Sequence, residues 1–419
     1  MYSTYVLENK ASIHLVPLKD TKSLAVLVMF PVGSRYEEEK MQGVSHFVEH
    51  MMFKGTGKRP DTLTLTREID RLGANYNAFT GKEYTGYYIK TDAKYSETVM
   101  DILSDMLFNS KFEEKEMEKE KGVVVEEIRM YRDNPLMNIE NIFEDLMYTG
   151  SPLGLDIAGT EKHVLSYEHS DVVAYRDAYY TPGNMHVIVA GAIDEKVEEQ
   201  IKEYFGSVSS DTAAKQSYVP FGFGPEEKDK RIFIEEKKTD QAQMMLGFPG
   251  LPYDHDDNLT VGVMNTILGG SMSSRLFIQI REKKGLAYMV KSGSDHFRDT
   301  GYAYVRAGLE SKNINEAIAV IREEIGKIIA EGVTESELAD AKTHIRGGLT
   351  LSLEDSSAQA NWYASQILFH KKVENPEERL KKVEAVTNED VKRLAKQIYD
   401  FEKMRVAIIG DVKKEDVQF

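Results

Sequence analysis

The feature that most constrains the fold of this chain is a repeat that relates its two halves. The segment AVLVMFPVG at 25–33 resembles QMMLGFPGL at 243–251, and each is a β-rich run containing Phe-Pro. NMHVIVAGAI at 184–193 resembles KMRVAIIGDV at 403–412, and each is a strand shortly before the end of its half. Self-similarity of this kind indicates a duplicated structural unit, here of about 200 residues.

Helical segments lie between the repeated strands in both halves. TLTREIDRLG and SETVMDILSDML occur in the first half, and AIAVIREEIGKIIAEG and SELADAKTHIRGGL occur in the second. This mixture predicts an α+β fold of two homologous domains, each a mainly antiparallel sheet with helices packed on one face. Because small, polar, Pro and Gly residues interrupt the periodicity near the middle, we place the domains at 1–208 and 231–419, with a linker at 209–230.

Composition excludes several kinds of partner and chemistry. A formal net charge of -16 disfavours binding to nucleic acid or to anionic membranes, since both require basic patches. The absence of cysteine excludes disulfides, thiolate nucleophiles and Cys-based zinc sites. The N-terminus lacks the pattern of a signal peptide, and no apolar run is long enough to span a membrane. We therefore expect a cytoplasmic protein that is not anchored to a membrane.

The pentapeptide HFVEH at 46–50 places two of the chain's ten histidines four positions apart. On a helix, His46 and His50 project from one face with their Cβ atoms ~6 Å apart, and Glu49 shares that face. Two neutral imidazoles and a carboxylate form catalytic zinc sites in which water takes the fourth position, and H-x-x-E-H is the inverted zincin signature. The carboxylate ligand must come from elsewhere in the chain.

The repeat supplies an internal comparison for this motif. Aligning Phe30-Pro31 with Phe248-Pro249 places residues 264–268, which read MNTIL, opposite HFVEH. This second-half counterpart contains no metal ligand. Since a helix in the same fold forms without paired histidines, the first half carries them for chemistry rather than for packing.

The segment KFEEKEMEKEKGVVVEEIRMYRDNP offers the missing carboxylate. It reads as a charged helix that enters an apolar stretch and stops at Asn134-Pro135. Glu120 and Glu127 are seven positions apart and share a face, whereas Glu126 is turned about 100° away from Glu127. A ligand with a second carboxylate behind it requires two glutamates on one face, but spacing alone leaves Glu126 open as the ligand.

Four stretches together resemble a known family: HFVEHMMFKGT, NAFT at 77–80, KEKGVVVEEIRMYRDNP and GGSMSSRLFIQIREKKGLAY at 269–288. They are similar to the pitrilysin-like zinc peptidases, which include insulin-degrading enzyme and the mitochondrial processing peptidase. The resemblance spans essentially the whole chain and is closest to short bacterial members of processing-peptidase type. It implies a zinc endopeptidase whose two halves enclose the site, so that oligopeptides and unfolded segments are its substrates.

The resemblance also implies roles for individual residues. His46, His50 and Glu127 would bind one zinc ion per subunit, Glu49 would be the general base on the zinc-bound water, and Glu120 would support the ligands from behind. NAFT would be an edge strand to which a peptide substrate adds by backbone pairing. This strand assigns substrate binding to Asn77, Ala78, Phe79 and Thr80.

In the second half, Arg281 and Tyr288 match an Arg and a Tyr that reach into the zinc site of active family members. Both side chains donate hydrogen bonds that could stabilise an oxyanion or hold the substrate carbonyl. Larger relatives carry four such domains and pair the first with the fourth. Since this chain has two domains, the resemblance implies a homodimer in which each site combines residues of both copies.

Two other functions remain open at this point. A non-catalytic partner subunit of the same fold would bind peptide or assist an active subunit, but it would not need the carboxylate of Glu49. A 2-His-1-carboxylate iron oxygenase would use the same kind of ligand set. A base placed beside the ligands fits hydrolysis better, and the sequence therefore favours the zinc endopeptidase.

Overall fold

The computed structural model describes residues 2–209 and 217–419, so that residues 210–216 of the predicted linker lie outside the described residues. The strands of the described ranges are β1 (Ser3–Val6), β2 (Ser12–Pro17), β3 (Ser23–Phe30), β4 (Asn75–Thr80), β5 (Thr85–Asp92), β6 (His186–Gly191), β7 (Ile232–Glu236), β8 (Ala242–Pro249), β9 (Ala287–His296), β10 (Gly301–Leu309) and β11 (Arg405–Gly410). The α-helices are α1 (Val44–Met51), α2 (Thr62–Asp70), α3 (Ser96–Phe108), α4 (Glu114–Asp133), α5 (Pro135–Met147), α6 (Glu161–Ser166), α7 (His169–Tyr179), α8 (Glu195–Gly206), α9 (Asn258–Gly269), α10 (Ile314–Glu331), α11 (Glu335–Ser352), α12 (Ser356–Phe369), α13 (Pro376–Ala385) and α14 (Asn388–Ile398).

Two sheets with the same strand arrangement account for the sequence repeat. The first has the order β1-β2-β6-β3-β5-β4, and the second has the order β7-β11-β8-β10-β9. In each sheet one pair is parallel, β2 with β6 and β7 with β11, and the other neighbours are antiparallel. Apart from the additional β1, the two orders are equivalent. The predicted α+β fold with an internal duplication is therefore confirmed.

The core of the first unit lies between its sheet and α1. Every second residue of β3 from Leu24 to Phe30 enters this core, as the two-residue period of a strand requires. Phe47, Val48 and Met51 of α1 pack against the strand residues and are fully buried. Burial of one such side chain contributes about 1.5–3 kcal/mol, which fixes the rotation of α1 about its axis.

The second sheet is covered on both faces. Met244 and Leu246 of β8 belong to the larger core of the second unit, whereas Met245 between them packs in a separate cluster with α5. Phe143 and Met147 of α5 are buried in that cluster. An additional helix thus lies on the face opposite the main helical layer of this sheet.

The chain divides into two compact units that are not simple halves. The first contains Met1–Arg129, Leu155–Val219 and Ser352–Leu368, and the remaining segments form the second. Relative to the predicted domains, residues 130–154 join the second unit and residues 352–368 join the first. The first difference arises because α5 packs on β8 and β11, a long-range contact that helical periodicity does not reveal. Within the described residues, none of the helices combines the length and apolarity that crossing a bilayer requires.

Candidate metal centre

The start of α1 is defined by a glycine and a half-buried carboxylate. Gly43 has φ of 91°, and a Cβ at this position would lie 2.4 Å from the carbonyl oxygen of Ala158. The carboxylate of Glu37 accepts hydrogen bonds from the backbone N–H groups of Gly43, at 2.7 Å, and Ser45, at 2.8 Å. These N–H groups lack partners inside the helix, so Glu37 satisfies the helix end that precedes the HFVEH motif.

The face of α1 that points away from the core carries the polar residues of the HFVEH motif. His46, Glu49 and His50 are only partly buried and lie on the side of the helix away from the apolar contacts. The ring centroids of the two histidines are 4.6 Å apart, and their Nε2 atoms are 3.3 Å apart. The predicted common face of the two imidazoles is therefore observed.

Helix α4 brings one of the two competing glutamates to these histidines. The carboxylate of Glu127 lies 3.8 Å from Nε2 of His46 and 3.3 Å from Nε2 of His50. The side chain of Glu126 is 72% exposed and pairs with Arg129 at 2.7 Å. The geometry thus favours Glu127 over Glu126, as the same-face argument does.

These three side chains fit a tetrahedral zinc ion. One donor atom each from His46, His50 and Glu127 lies within 4.8 Å of the others, and this is the metal-capable group among the described residues. Zinc–nitrogen and zinc–oxygen bonds of ~2.0–2.2 Å place the ligands of a tetrahedral ion roughly 3.3–3.5 Å apart. The observed separations of 3.3, 3.3 and 3.8 Å are close to this value. The residues present could therefore hold zinc with little rearrangement.

Behind the donor atoms, Glu120 joins His50 to a lysine. Oε1 of Glu120 lies 2.8 Å from Nδ1 of His50, and Oε2 lies 2.5 Å from Nζ of Lys54. Burial would raise the pKa of Glu120, but the hydrogen bonds from His50 and Lys54 hold that pKa below its usual range. An ionised Glu120 accepts from Nδ1–H and leaves Nε2 of His50 free to bind a metal.

Without a metal, the two imidazoles differ in their affinity for a proton. Burial opposes protonation of His50, yet its hydrogen bonds to Glu120 and Glu127 raise its pKa to about 9. Burial and the nearby His50 lower the pKa of His46 to about 4. A bound cation would replace the proton that His50 otherwise carries among these carboxylates.

Glu49 lies beside the donor group but has a different partner. Its Oε2 atom accepts a hydrogen bond of 2.5 Å from the hydroxyl of Thr80, at the end of β4. Burial raises the pKa of Glu49, and the hydrogen bond from Thr80 acts in the opposite direction. A carboxylate with a raised pKa near a metal-capable group is suited to accept and return a proton.

The remaining predicted residues lie on β4 and in the second unit. Asn77, Ala78, Phe79 and Thr80 belong to β4, which is the edge strand of its sheet within the described residues. Arg281 lies in the π-helical segment Phe277–Lys283 of the second unit. Its guanidinium carbon is 4.9 Å from the ring centroid of Tyr288, whose side chain is 73% exposed. The two residues therefore contact each other as a cation–π pair.

Sequence reasoning did not identify the contacts of Lys54 and Thr80. Lys54 follows HFVEH by only four positions, and this proximity is the signal that the sequence offers. The family resemblance implies substrate binding for Thr80, and no pattern in the sequence indicates a hydrogen bond to Glu49. That contact depends on how β4 packs against α1, which is a tertiary feature.

The order His-x-x-Glu-His on one helix, with a glutamate from a later helix, corresponds to the inverted zincin class of metal centre. The family described as insulinase (peptidase family M16) matches residues 15–161, and the peptidase M16 inactive domain matches residues 166–345. The chain belongs to peptidase family M16.

Relatives and solved structures agree with this assignment. The uncharacterized zinc protease YmxG of Bacillus subtilis is 35% identical over 399 residues, which cover 95% of this chain and 96% of that protein. An uncharacterized zinc protease of Streptomyces coelicolor is 32% identical, covering 94% of this chain and 86% of that protein. A protease from Helicobacter pylori has the same fold, with a TM-score of 0.89 at 22% identity over 98% of this chain and 99% of that one. The solved structure shows the shared fold, and the names of the two zinc protease relatives support zinc binding and a peptidase-type function at the level of the family.

Proposed function

We propose that the protein is a zinc-dependent endopeptidase that hydrolyses oligopeptides or unfolded segments. The observation that carries this proposal is the spacing of the His46, His50 and Glu127 donor atoms, with the Glu49 carboxylate beside them. In that arrangement the three donors would hold one zinc ion per subunit. Glu49 would then be available for proton transfer, because it is not needed as a ligand.

In the proposed reaction, the zinc ion and the protein side chains have different roles. When bound, zinc supplies a Lewis acid that polarises the scissile carbonyl and lowers the pKa of a coordinated water to about 7. Glu120 and Lys54 maintain the tautomer of His50, since the anionic carboxylate accepts from Nδ1–H. Partial burial of the site limits competing hydration of these charges and strengthens their interactions.

Glu49 moves the proton in both halves of the reaction. Its carboxylate removes a proton from the attacking water as the new carbon–oxygen bond forms at the peptide carbonyl. It then gives that proton to the departing amine nitrogen as the carbon–nitrogen bond breaks. The proton taken from the nucleophile is the one delivered to the leaving group, so no covalent enzyme intermediate is required.

The edge strand β4 suits a substrate in extended conformation. In the described part of the chain β5 pairs with one side of β4, and the other side is the sheet edge. A peptide that adds there gains main-chain hydrogen bonds irrespective of its sequence. Most backbone groups of a folded protein are already paired within its own structure, and the proposed substrates are therefore short peptides and unfolded segments.

The direct test combines metal analysis with peptide cleavage. Purified protein is analysed for bound metals and then incubated with a mixed peptide library, with and without chelator. We expect stoichiometric zinc, and cleavage that a chelator abolishes and zinc restores. A zinc-loaded protein that cleaves no library member would contradict the proposal.

Two alternatives are less consistent with these observations. A non-catalytic partner subunit would have no use for Glu49 beside an intact donor group. An iron oxygenase would use the same three ligands, but YmxG, which is similar over 95% of this chain, carries the name zinc protease. Peptide cleavage separates the endopeptidase from the partner subunit. The metal analysis separates it from the oxygenase, since iron with oxygen-dependent turnover would support the oxygenase.

We also propose that the protein acts as a homodimer in which Arg281 and Tyr288 of one copy serve the metal centre of the other. The family resemblance and the presence of the Arg/Tyr pair only in the second unit support this proposal. Glu49→Gln is mixed with the Arg281→Ala, Tyr288→Phe double variant under conditions of subunit exchange. Each preparation should be inactive alone, and the mixture should regain part of the activity. Proven exchange without activity would show that the site is built within one copy.

A further inference from the structure

The hydroxyl of Thr80 makes a contact that substrate binding alone does not explain. Its hydroxyl donates to Oε2 of Glu49 at 2.5 Å, which is a short hydrogen bond to a charged acceptor. Among the described residues, no other hydrogen bond reaches the Glu49 side chain. The hydroxyl of Thr80 thus holds Oε2 of Glu49, and Oε1 remains available to accept a proton.

The side chain of Thr80 points toward α1 rather than toward a peptide at the strand edge. Ala78 shares its face of β4 and is 8% exposed in the core, whereas Asn77 and Phe79 alternate to the other face. A peptide that adds to β4 pairs with backbone groups in the plane of the sheet. The backbone of Thr80 can therefore serve the substrate while its hydroxyl serves Glu49.

The hairpin that follows β4 keeps this hydroxyl in place. Thr80 pairs with Thr85, and the backbone N–H of Gly81 donates to the carbonyl of Tyr84 at 2.8 Å. Glu83 in the turn forms an ion pair of 2.6 Å with Arg35, and both side chains are 1% exposed. A donor fixed in this way holds its acceptor in one orientation without further loss of entropy when substrate arrives.

We propose that Thr80 is a positioning residue for the general base: its hydroxyl orients the Glu49 carboxylate from the strand that receives the peptide. This inference rests on the proposed endopeptidase function for its kinetic consequence, but not for its structural one. Because strand and base are joined through one residue, a peptide seated on β4 and the carboxylate that acts on it are held in a common frame.

The test uses an isosteric pair of variants and a matched control. Thr80→Val removes the hydroxyl and keeps the shape, and Thr80→Ser keeps the hydroxyl. Thr91→Val in neighbouring β5 is the control, since the Thr91 hydroxyl is buried and has no hydrogen-bond partner among the described residues. Zinc content and melting temperature are measured for every variant, followed by kcat and KM on one peptide.

We expect Thr80→Val to lower kcat about 10- to 100-fold with KM nearly unchanged, the cost of losing a hydrogen bond to a charged group. Thr80→Ser should restore most of the activity, and zinc content should remain that of the original protein. Equal losses in the Val and Ser variants would overturn the proposal. A raised KM with unchanged kcat would also overturn it, because it would make Thr80 a substrate contact.

A second readout does not depend on turnover. Crystal structures of metal-free Thr80→Val and Thr80→Ser should show the Glu49 carboxylate displaced in the first and unchanged in the second. An unchanged carboxylate in both would refute the positioning role even if the kinetics were altered. If the zinc-loaded original protein cleaves no peptide, the proposed function fails, and these structures still decide the role of Thr80.

Discussion

Nδ1 of His50 lies 2.8 Å from Oε1 of Glu120, which connects the candidate metal centre to a charge outside it. The other carboxylate oxygen contacts Nζ of Lys54 at 2.5 Å. Through Glu120, Lys54 therefore influences His50, which would bind the metal, although Lys54 is not itself a proposed ligand. Its removal should weaken metal binding rather than the chemical step.

Lys54→Met removes the charge and retains most of the side-chain volume. Glu120 then loses a hydrogen bond that keeps its pKa low, so it accepts less effectively from His50. We expect zinc affinity to fall about 10-fold, measured by competition with a chromogenic chelator. Lys119→Met is the matched control, because Lys119 is exposed and pairs with Glu116 on the same helix as Glu120. Equal affinities in the two variants would contradict this role of Lys54.

Glu49→Gln should abolish turnover while leaving zinc and fold in place. The amide is nearly isosteric and can accept the hydrogen bond from Thr80, but it cannot take the proton of the attacking water. We expect kcat to fall by at least about 100-fold, the usual contribution of a general base. Zinc content is measured in parallel. Loss of the metal in this variant would make Glu49 a ligand and not a base.

Glu127→Gln should release zinc, whereas Glu126→Gln should behave as the original protein. The first substitution removes a charge that lies 3.3 Å from His50, and the second changes a side chain that is 72% exposed. Metal content after dialysis against a weak chelator distinguishes them. If Glu126→Gln proved the damaging change, the ligand would have been assigned one position too late.

Asp295→Asn should change how stability depends on pH. Burial and repulsion from Glu140 and Glu144 raise the pKa of Asp295 from 3.8 to about 6. The folded state therefore binds the proton more tightly than the unfolded state. The resulting stabilisation is complete below about pH 3.8 and disappears as pH rises through about 6.

The asparagine cannot ionise, so its advantage over the original protein should grow between pH 4 and pH 7 and reach on the order of 2 kcal/mol. Chemical unfolding across this range measures the difference. Asp340→Asn, at an exposed position of the same unit, should show no comparable trend. A constant difference between Asp295→Asn and the original protein would contradict the raised pKa.

Local periodicity accounts for the parts of the site that could be predicted. The spacing of His46 and His50 is a property of one helix, and so is the common face of Glu120 and Glu127. These relationships hold wherever the two helices lie in the fold. The repeat likewise predicted two equivalent sheets, because matching strand segments occur in matching order.

Contacts between distant segments account for what could not be predicted. Thr80 and Glu49 are 31 positions apart, and their hydrogen bond requires both the register of the β4–β5 hairpin and its packing on α1. The placement of α5 has the same origin. Its apolar face indicates burial, but the choice of sheet is decided by surfaces that only the folded chain assembles.

The counterpart of α1 in the second unit, α9, has buried apolar side chains where α1 has its two histidines. Met264 and Leu268 of α9, which align with His46 and His50, are fully buried apolar residues. The first unit keeps polar imidazoles at these positions and forgoes that burial, so its metal-free form has less to hold it folded. If zinc binds the proposed ligands in the folded state alone, it would add about 1.4 kcal/mol of stability for each tenfold excess over its dissociation constant. The lifetime of the folded chain would then depend on the free zinc concentration around it.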